Sequence, residues 1–109
     1  KLKKSKLISD VRIYIDKNFN DEDLTLNKIA EEFSYNPTYL SSLFANVVGE
    51  GFSEYITKVR INYALTLIEQ GFTSVKDIAF MCGFKDPLYF SKVFKRRMGK
   101  SPSEYAKSP

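Results

Sequence analysis

Apolar residues recur at intervals of three and four along most of the chain, and the strict alternation that is typical of strands is nearly absent. This spacing gathers apolar side chains on one face of a helix, so the pattern predicts an all-α protein. Capping residues, prolines and glycines separate the periodic segments and mark helix starts and ends. The pattern predicts seven helices, which cover about residues 5–18, 25–33, 36–49, 53–70, 75–82, 86–98 and 101–107.

The predicted helix starts carry residues that cap helices. Asn36 and Asp86 each offer a side-chain acceptor to the free backbone N–H groups, and each precedes a proline, which suits the first helical position. Gly49 follows the third helix, and glycine accommodates the left-handed conformation that often ends a helix. Further caps are predicted at Ser53, at Ser74 with Asp77, and at Ser101 with Glu104.

One stretch of the sequence occurs twice. NPTYLSSLF, residues 36–44, returns as DPLYFSKVF, residues 86–94, and the similarity extends to both sides. Each copy contains two short helices, a turn, and the start of a further helix, which predicts two helix-turn-helix subdomains. The predicted organisation has the N-terminal helix and first subdomain in residues 1–52, a connecting helix in 53–70, and the second subdomain and C-terminal helix in 71–109.

The helical period also predicts which side chains enter the core. In the first helix these are Leu7, Ile8, Val11, Ile15 and Phe19. In the second helix of each copy they are Leu40, Leu43, Phe44 and Val47, and Phe90, Val93, Phe94 and Met98.

The outward faces of these two helices differ in charge. A short, capped helix that stands second in a helix-turn-helix pair can enter the major groove of DNA, where small polar side chains meet base edges and cations meet phosphates. The outward residues are Thr38, Ser41, Ser42, Ala45 and Asn46 in the first copy, and Leu88, Ser91, Lys92, Lys95 and Arg96 in the second. The predicted connecting helix would be about 27 Å long, which suits two recognition helices that lie one DNA turn, about 34 Å, apart.

The positive charge is concentrated in the second half of the chain. The net charge is +4, and residues 51–109 carry ten Lys and Arg against five Asp and Glu, whereas residues 1–50 carry seven against eight. Such a basic region is a possible footprint for nucleic acid. A solvated surface is the alternative explanation for a run of like charges.

Missing residue types exclude several function classes. Histidine is absent and Cys82 is the single cysteine, so an internal disulfide, a His/Cys zinc site and a triad with a histidine base are excluded. We therefore expect no metal, no cofactor and no enzymatic activity. The longest apolar run is too short to cross a bilayer, and the basic N-terminus lacks the apolar stretch of a signal peptide. We expect a soluble, cytoplasmic protein with no membrane partner, and because the chain starts at Lys1 we expect a fragment of a longer one.

The segment IAFMCGFKDPLYFSKVFKRRMGKSPSEY, residues 78–105, is similar to the signature of the AraC/XylS transcription regulators, and residues 24–68 resemble the first half of their DNA-binding domain. The resemblance implies seven helices, two recognition helices in successive major grooves, and transcription regulation. It implies as partners double-stranded DNA, RNA polymerase and an N-terminal sensor or receiver domain. The N-terminal segment most resembles members that are fused to a response-regulator receiver.

The resemblance also implies roles for individual residues. The base-contacting candidates are Thr38, Ser41, Ser42, Asn46, Leu88, Ser91 and Lys92. The phosphate-contacting candidates are Asn36, Lys58, Arg60, Lys76, Lys85, Lys95 and Arg96.

Three positions depart from the family pattern. Ser34 stands in the first turn where many members have glycine, so we expect strain or a different shape there. Lys28 replaces an acidic residue near the start of the second helix and should weaken its cap. Ala45 and Asn46 stand where relatives often have cations, which argues against a strong phosphate grip by the first copy.

Two further expectations concern single residues and the alternative function. Cys82 should lie in the core, and Tyr39 and Tyr89 should pack rather than serve as stacking platforms. An all-helical protein-interaction module without DNA binding is the alternative function, and steep salt dependence of polyanion binding would separate the two.

Overall fold

The computed structural model describes residues 2–107, which form seven helices and no strand. The helices are α1 (Leu2–Asn18), α2 (Leu26–Glu32), α3 (Pro37–Val48), α4 (Phe52–Glu69), α5 (Val75–Met81), α6 (Pro87–Met98) and α7 (Pro102–Lys107). The predicted all-α fold is therefore confirmed. The pairs α2–α3 and α5–α6 are the two helix-turn-helix units, and α4 joins them.

Local hydrogen bonds explain most of the helix starts. The Oδ1 atom of Asn36 accepts from the backbone N–H groups of Thr38 and Tyr39, at 2.9 and 3.1 Å, and Asp86 Oδ1 accepts from that of Leu88 at 2.9 Å. Each bond satisfies a donor that the helix itself leaves without a partner. The predicted caps of α3 and α6 are confirmed.

The remaining caps follow the predictions with one exception. Ser101 and Glu104 form both bonds of a capping box, and Ser74 Oγ accepts from the backbone N–H of Asp77 at 3.2 Å. The prediction that Ser53 caps α4 is wrong: the helix begins at Phe52, and Gly51 is the capping residue without a side-chain bond. Phe52 packs against the first core, and this contact favours a helix start one residue before the polar Ser53 that the sequence indicated.

The core consists of two clusters that meet along α4. The first contains buried residues of α1, α2, α3 and the start of α4, as far as Ile56. The second begins at Ile61 and contains residues of α4, α5 and α6. One helix therefore contributes to both halves of the molecule.

The predicted core faces are mostly confirmed. Leu40, Leu43 and Phe44 are buried in α3, as are Phe90, Val93 and Phe94 in α6. Val47 is a correction, because 46% of its surface is exposed, and the neighbouring Val48 packs against the core instead. The structure measures 46 by 22 by 21 Å along its principal axes. Among residues 2–107, no helix is long and apolar enough to cross a membrane.

Candidate nucleic-acid interface

The outward face of α3 is polar and uncharged. Thr38, Ser41, Ser42 and Asn46 are all exposed, while the opposite side of the helix is fixed in the first core by its buried apolar residues. Thr38 and Ser41 lie near the capped N-terminus of the helix, which is the end that a recognition helix directs at base edges. The face offers hydroxyl and amide groups that can donate and accept hydrogen bonds.

The outward face of α6 carries cations. Lys92 is exposed, Ser91 is half-buried, and Leu88 has 75% of its surface exposed. Lys95 and Arg96 are exposed one turn further along the helix. The structure thus brings the predicted base and phosphate candidates of this helix to the solvent side of the second core.

Two phosphate candidates have partners within the first half. Asn36 caps α3 with its Oδ1 atom, which leaves the amide NH₂ group as the donor for another acceptor. The Lys58 ammonium pairs with Glu50 and lies 5.5 Å from the ring centre of Tyr55. Any phosphate contact by Lys58 would compete with this ion pair.

Arg60 is half-buried and has backbone partners that the sequence did not indicate. Its Nε atom donates to the backbone oxygen of Phe19 at 2.8 Å, and Nη2 donates to that of Asp21 at 3.0 Å. The guanidinium carbon lies 5.6 Å from the ring centre of Phe84. Burial lowers the pKa of Arg60, and the charge of Asp21 opposes that shift. These contacts argue against the phosphate role predicted for Arg60.

Lys85 is exposed but pairs with Asp23, at 2.7 Å between Nζ and Oδ1. The hydrogen bond and charge of each partner lower the pKa of Asp23 and raise that of Lys85. Lys76 is exposed near the start of α5.

Tyr39 and Tyr89 are more exposed than the packing prediction implies. Their exposed fractions are 44% and 54%, and the ring of Tyr39 stacks on that of Tyr35, with centroids 6.0 Å apart and an interplanar angle of 20°. Lys3 and Lys4 of α1 line the same hollow as the two rings. Sequence reasoning missed this group because Tyr35 lies in the turn and the two lysines lie about 30 residues earlier.

Two other predictions are supported by burial and backbone geometry. Cys82 is fully buried in the second core, and burial raises the pKa of its thiol to about 12. Ser34 has a φ angle of 59°, in the left-handed region that costs a side-chain-bearing residue about 1–2 kcal/mol. The expected strain in the first turn is therefore present.

Two capped helices with exposed polar faces, each second in a helix-turn-helix pair, define the class of DNA-binding helix-turn-helix domains. A sequence model described as a helix-turn-helix domain matches residues 29–108. The chain belongs to this family, in its AraC-type branch, and the resemblance to the AraC/XylS regulators is confirmed.

Individual relatives agree with this assignment. The chain is 38% identical over 99 residues to the uncharacterized HTH-type transcriptional regulator YijO of Escherichia coli, covering 91% of this chain and 35% of that protein. The chain thus spans about a third of the length of this curated relative.

Solved structures show the same architecture. The C-terminal domain of AraT, a response regulator from Geobacillus stearothermophilus, superposes with a TM-score of 0.91 at 34% identity and covers 94% of this chain and 85% of that one. The DNA-binding domain of AdpA, in complex with a target DNA, has a TM-score of 0.86 at 21% identity, with 93% and 90% covered. At that identity the AdpA likeness shows a common fold.

Proposed function

We propose that this chain binds double-stranded DNA sequence-specifically through α3 and α6 in successive major grooves, as the DNA-binding part of a transcription regulator. The observation that carries the proposal is the pair of capped helices with exposed polar faces, attached to one shared helix. At 18 residues, α4 is about 27 Å long, which supports a separation of the recognition helices close to one DNA turn.

The two recognition helices have different roles in DNA binding in this proposal. The α6 face supplies Lys92 for base edges and Lys95 and Arg96 for phosphates, so α6 anchors the complex. The α3 face has no charge and tunes sequence choice. Its contacts come from Thr38, Ser41, Ser42 and Asn46, and those of α6 from Leu88, Ser91 and Lys92.

The phosphate contacts are fewer than the resemblance implies. Lys76, Lys95 and Arg96 are exposed and support this role, as does the amide of Asn36. Lys58 and Lys85 would have to leave their acidic partners, and the guanidinium of Arg60 is held by the chain itself.

The proposal also holds that this chain is one domain of a longer regulator. The chain spans only part of its curated relative, and the AraT domain comes from a response regulator, which supports a receiver domain on the N-terminal side. The partners are then DNA, RNA polymerase and that further domain, in the cytoplasm. The domain itself acts by binding and carries out no chemical step.

Selection of bound sequences from a random duplex pool tests the proposal. One asymmetric sequence should be enriched, and its affinity should fall with salt with a log–log slope of about −3 or steeper, because each neutralised phosphate contributes about −0.9. Binding to a scrambled duplex serves as the control. An unenriched pool combined with a flat salt dependence would favour the protein-interaction module.

A further inference from the structure

The two halves of the molecule meet at a small polar and aromatic contact region beside α4. We call it the clamp and define it as residues 19–23 of the α1–α2 loop, Arg60 of α4, and residues 83–85 of the turn before α6. The loop belongs to the first half and the turn to the second, while Arg60 lies between the last residue of the first core and the first of the second.

Arg60 contacts both sides of the clamp. It donates to the backbone oxygens of Phe19 and Asp21, and its guanidinium lies over the ring of Phe84. Backbone acceptors in a loop hold a guanidinium fork in one orientation, since its donors have fixed geometry. The orientation of the loop is thereby tied to that of the turn.

Gly83 lets the loop and the turn approach closely. A Cβ atom at this position would lie 2.3 Å from the backbone oxygen of Phe19 and 3.0 Å from Arg60 Nε, and the φ angle is +94°. The corresponding residue of the first copy, Ser34, has no such role, because it is exposed. The glycine in the second turn therefore serves the contact between the halves as well as the turn itself.

Two more contacts cross between the halves. Lys85 pairs with Asp23 at 2.7 Å, and the ring of Phe19 meets that of Tyr63 edge-on, with centroids 5.1 Å apart. Tyr63 packs against the second core and Phe19 against the first. The duplicated units are thus joined by side chains and backbone as well as by the connecting helix.

The geometry points to Arg60 as a positioning residue that fixes the relative rotation of α3 and α6, so that the clamp sets which spacing between the two DNA segments the chain accepts. This inference rests on the proposed function. A helix alone leaves the attached units free to bend and twist about it, whereas a contact beside the helix removes that freedom. One base pair changes the separation of two segments by about 3.4 Å and turns them by about 35°.

The first test measures the clamp without DNA. Spin labels on Ser42→Cys and Lys92→Cys report the distance between the recognition helices, and the buried thiol of Cys82 stays unlabelled in the folded protein. Adding Arg60→Met, which keeps an apolar stem and removes the donors, should broaden the distance distribution. Lys58→Met is the matched control, because Lys58 lies on the same helix and pairs within the first half. Distance distributions of equal width in the labelled parent protein, in Arg60→Met and in Lys58→Met would contradict the clamp.

The second test measures spacing selectivity on the duplex obtained by selection. Wild-type affinity should fall about tenfold or more when one base pair is inserted between the two contacted segments, since base contacts of one helix are then lost. Arg60→Met should reduce this penalty to about threefold, while Lys58→Met keeps it. An unchanged penalty in Arg60→Met would contradict the clamp and leave the proposed function standing. Wild-type protein that selects no sequence would instead contradict the proposed function.

A charge exchange covers the case in which Arg60→Met does not fold. Lys85→Asp alone should weaken the spacing penalty, and the double variant Asp23→Lys with Lys85→Asp should restore it, because the ion pair re-forms with reversed polarity. Restored affinity with a restored penalty supports the clamp. A double variant that keeps the weakened penalty of Lys85→Asp would count against the clamp, whereas a restored penalty with lower affinity on every duplex would show that Lys85 also contacts phosphate.

Discussion

Ser34 and Gly83 occupy equivalent places in the two helix-turn-helix turns, and both have positive φ angles, 59° and 94°. Ser34→Gly should raise the free energy of unfolding by about 0.5 kcal/mol, because relief of about 1–2 kcal/mol of left-handed strain exceeds the 0.5–1 kcal/mol of extra unfolded-state entropy. Gly83→Ser should lower it by about 2–5 kcal/mol, since strain and overpacking against Phe19 add. Urea denaturation of both variants and of the wild-type protein measures these changes in the free energy of unfolding. Equal effects at the two positions would contradict the close approach at Gly83.

The side chains on the two recognition helices should have unequal effects on binding. Lys92→Ala should relax the preference at one or two base pairs, since a lysine contact with guanine is worth about 1–3 kcal/mol of discrimination. Arg96→Ala should weaken all duplexes alike and make the salt slope shallower by about one unit. Ser41→Ala and Ser42→Ala are the comparison, with a cost of about 0.5–1.5 kcal/mol each. Titrations of all four variants against a matched pair of duplexes measure these affinities. A larger loss of affinity in the serine variants than in Lys92→Ala and Arg96→Ala would reverse the roles assigned to the two helices.

The exposed positions of both recognition helices could be predicted from the sequence, because burial of one face follows directly from the helical period. Arg60 could not be assigned in this way. A lone arginine in a helix resembles a surface cation, and its partners, Phe19 and Asp21, lie 41 and 39 residues earlier. Only the packing of the two halves shows that its guanidinium binds backbone oxygens of the α1–α2 loop.

At the scale of the element, Asn36 is both the cap of α3 and a phosphate candidate. Asn36→Ala should lower the free energy of unfolding by about 1 kcal/mol through loss of the cap. Asn36→Asp should keep the cap and the stability, since the N-terminal dipole favours a carboxylate, yet weaken DNA binding by repelling phosphate. Asp86→Asn is the matched control in the second copy and should strengthen binding. Unchanged affinity of Asn36→Asp would exclude a nearby phosphate.

The connecting helix α4 should determine specific binding through its rigidity. Ala64→Pro removes a backbone donor and distorts the preceding turn at a cost of about 3 kcal/mol or more. Specific affinity should therefore fall far more than nonspecific affinity, whereas Thr66→Ala on the exposed side of α4 should change neither. Equal losses on both kinds of duplex, with helicity preserved in circular dichroism, would contradict a rigid spacer.

Helix positions were predictable to within a few residues, because Asn36, Asp86 and Ser101 act through short-range hydrogen bonds. Ser53 misled the prediction because Phe52 gains burial in the first core, and this contact involves residues distant in sequence. Val47 misled it for a similar reason: the period allows Val47 or Val48 at the edge of the apolar face, and tertiary packing selects Val48.

At the scale of the whole molecule, the duplication predicts two similar units but leaves their relative orientation open. The division at residues 52/53 and 70/71 stays a prediction; the two cores meet within α4, between Ile56 and Ile61. Ser34 stands at the place of Gly83 in the first copy and is exposed, and Lys85 is an insertion with no equivalent residue there, so internal comparison of the two copies could not reveal the contacts of Gly83 and Lys85.

Two unlike recognition helices on one rigid frame should protect an asymmetric DNA site of about 15–20 base pairs, with two segments one helical turn apart. Footprinting combined with guanine methylation interference on the selected duplex measures this directly. We predict two major-groove segments with centres about 10 base pairs apart on one face of the duplex. A single protected segment, or protection that is the same on a scrambled duplex, would contradict binding by both α3 and α6.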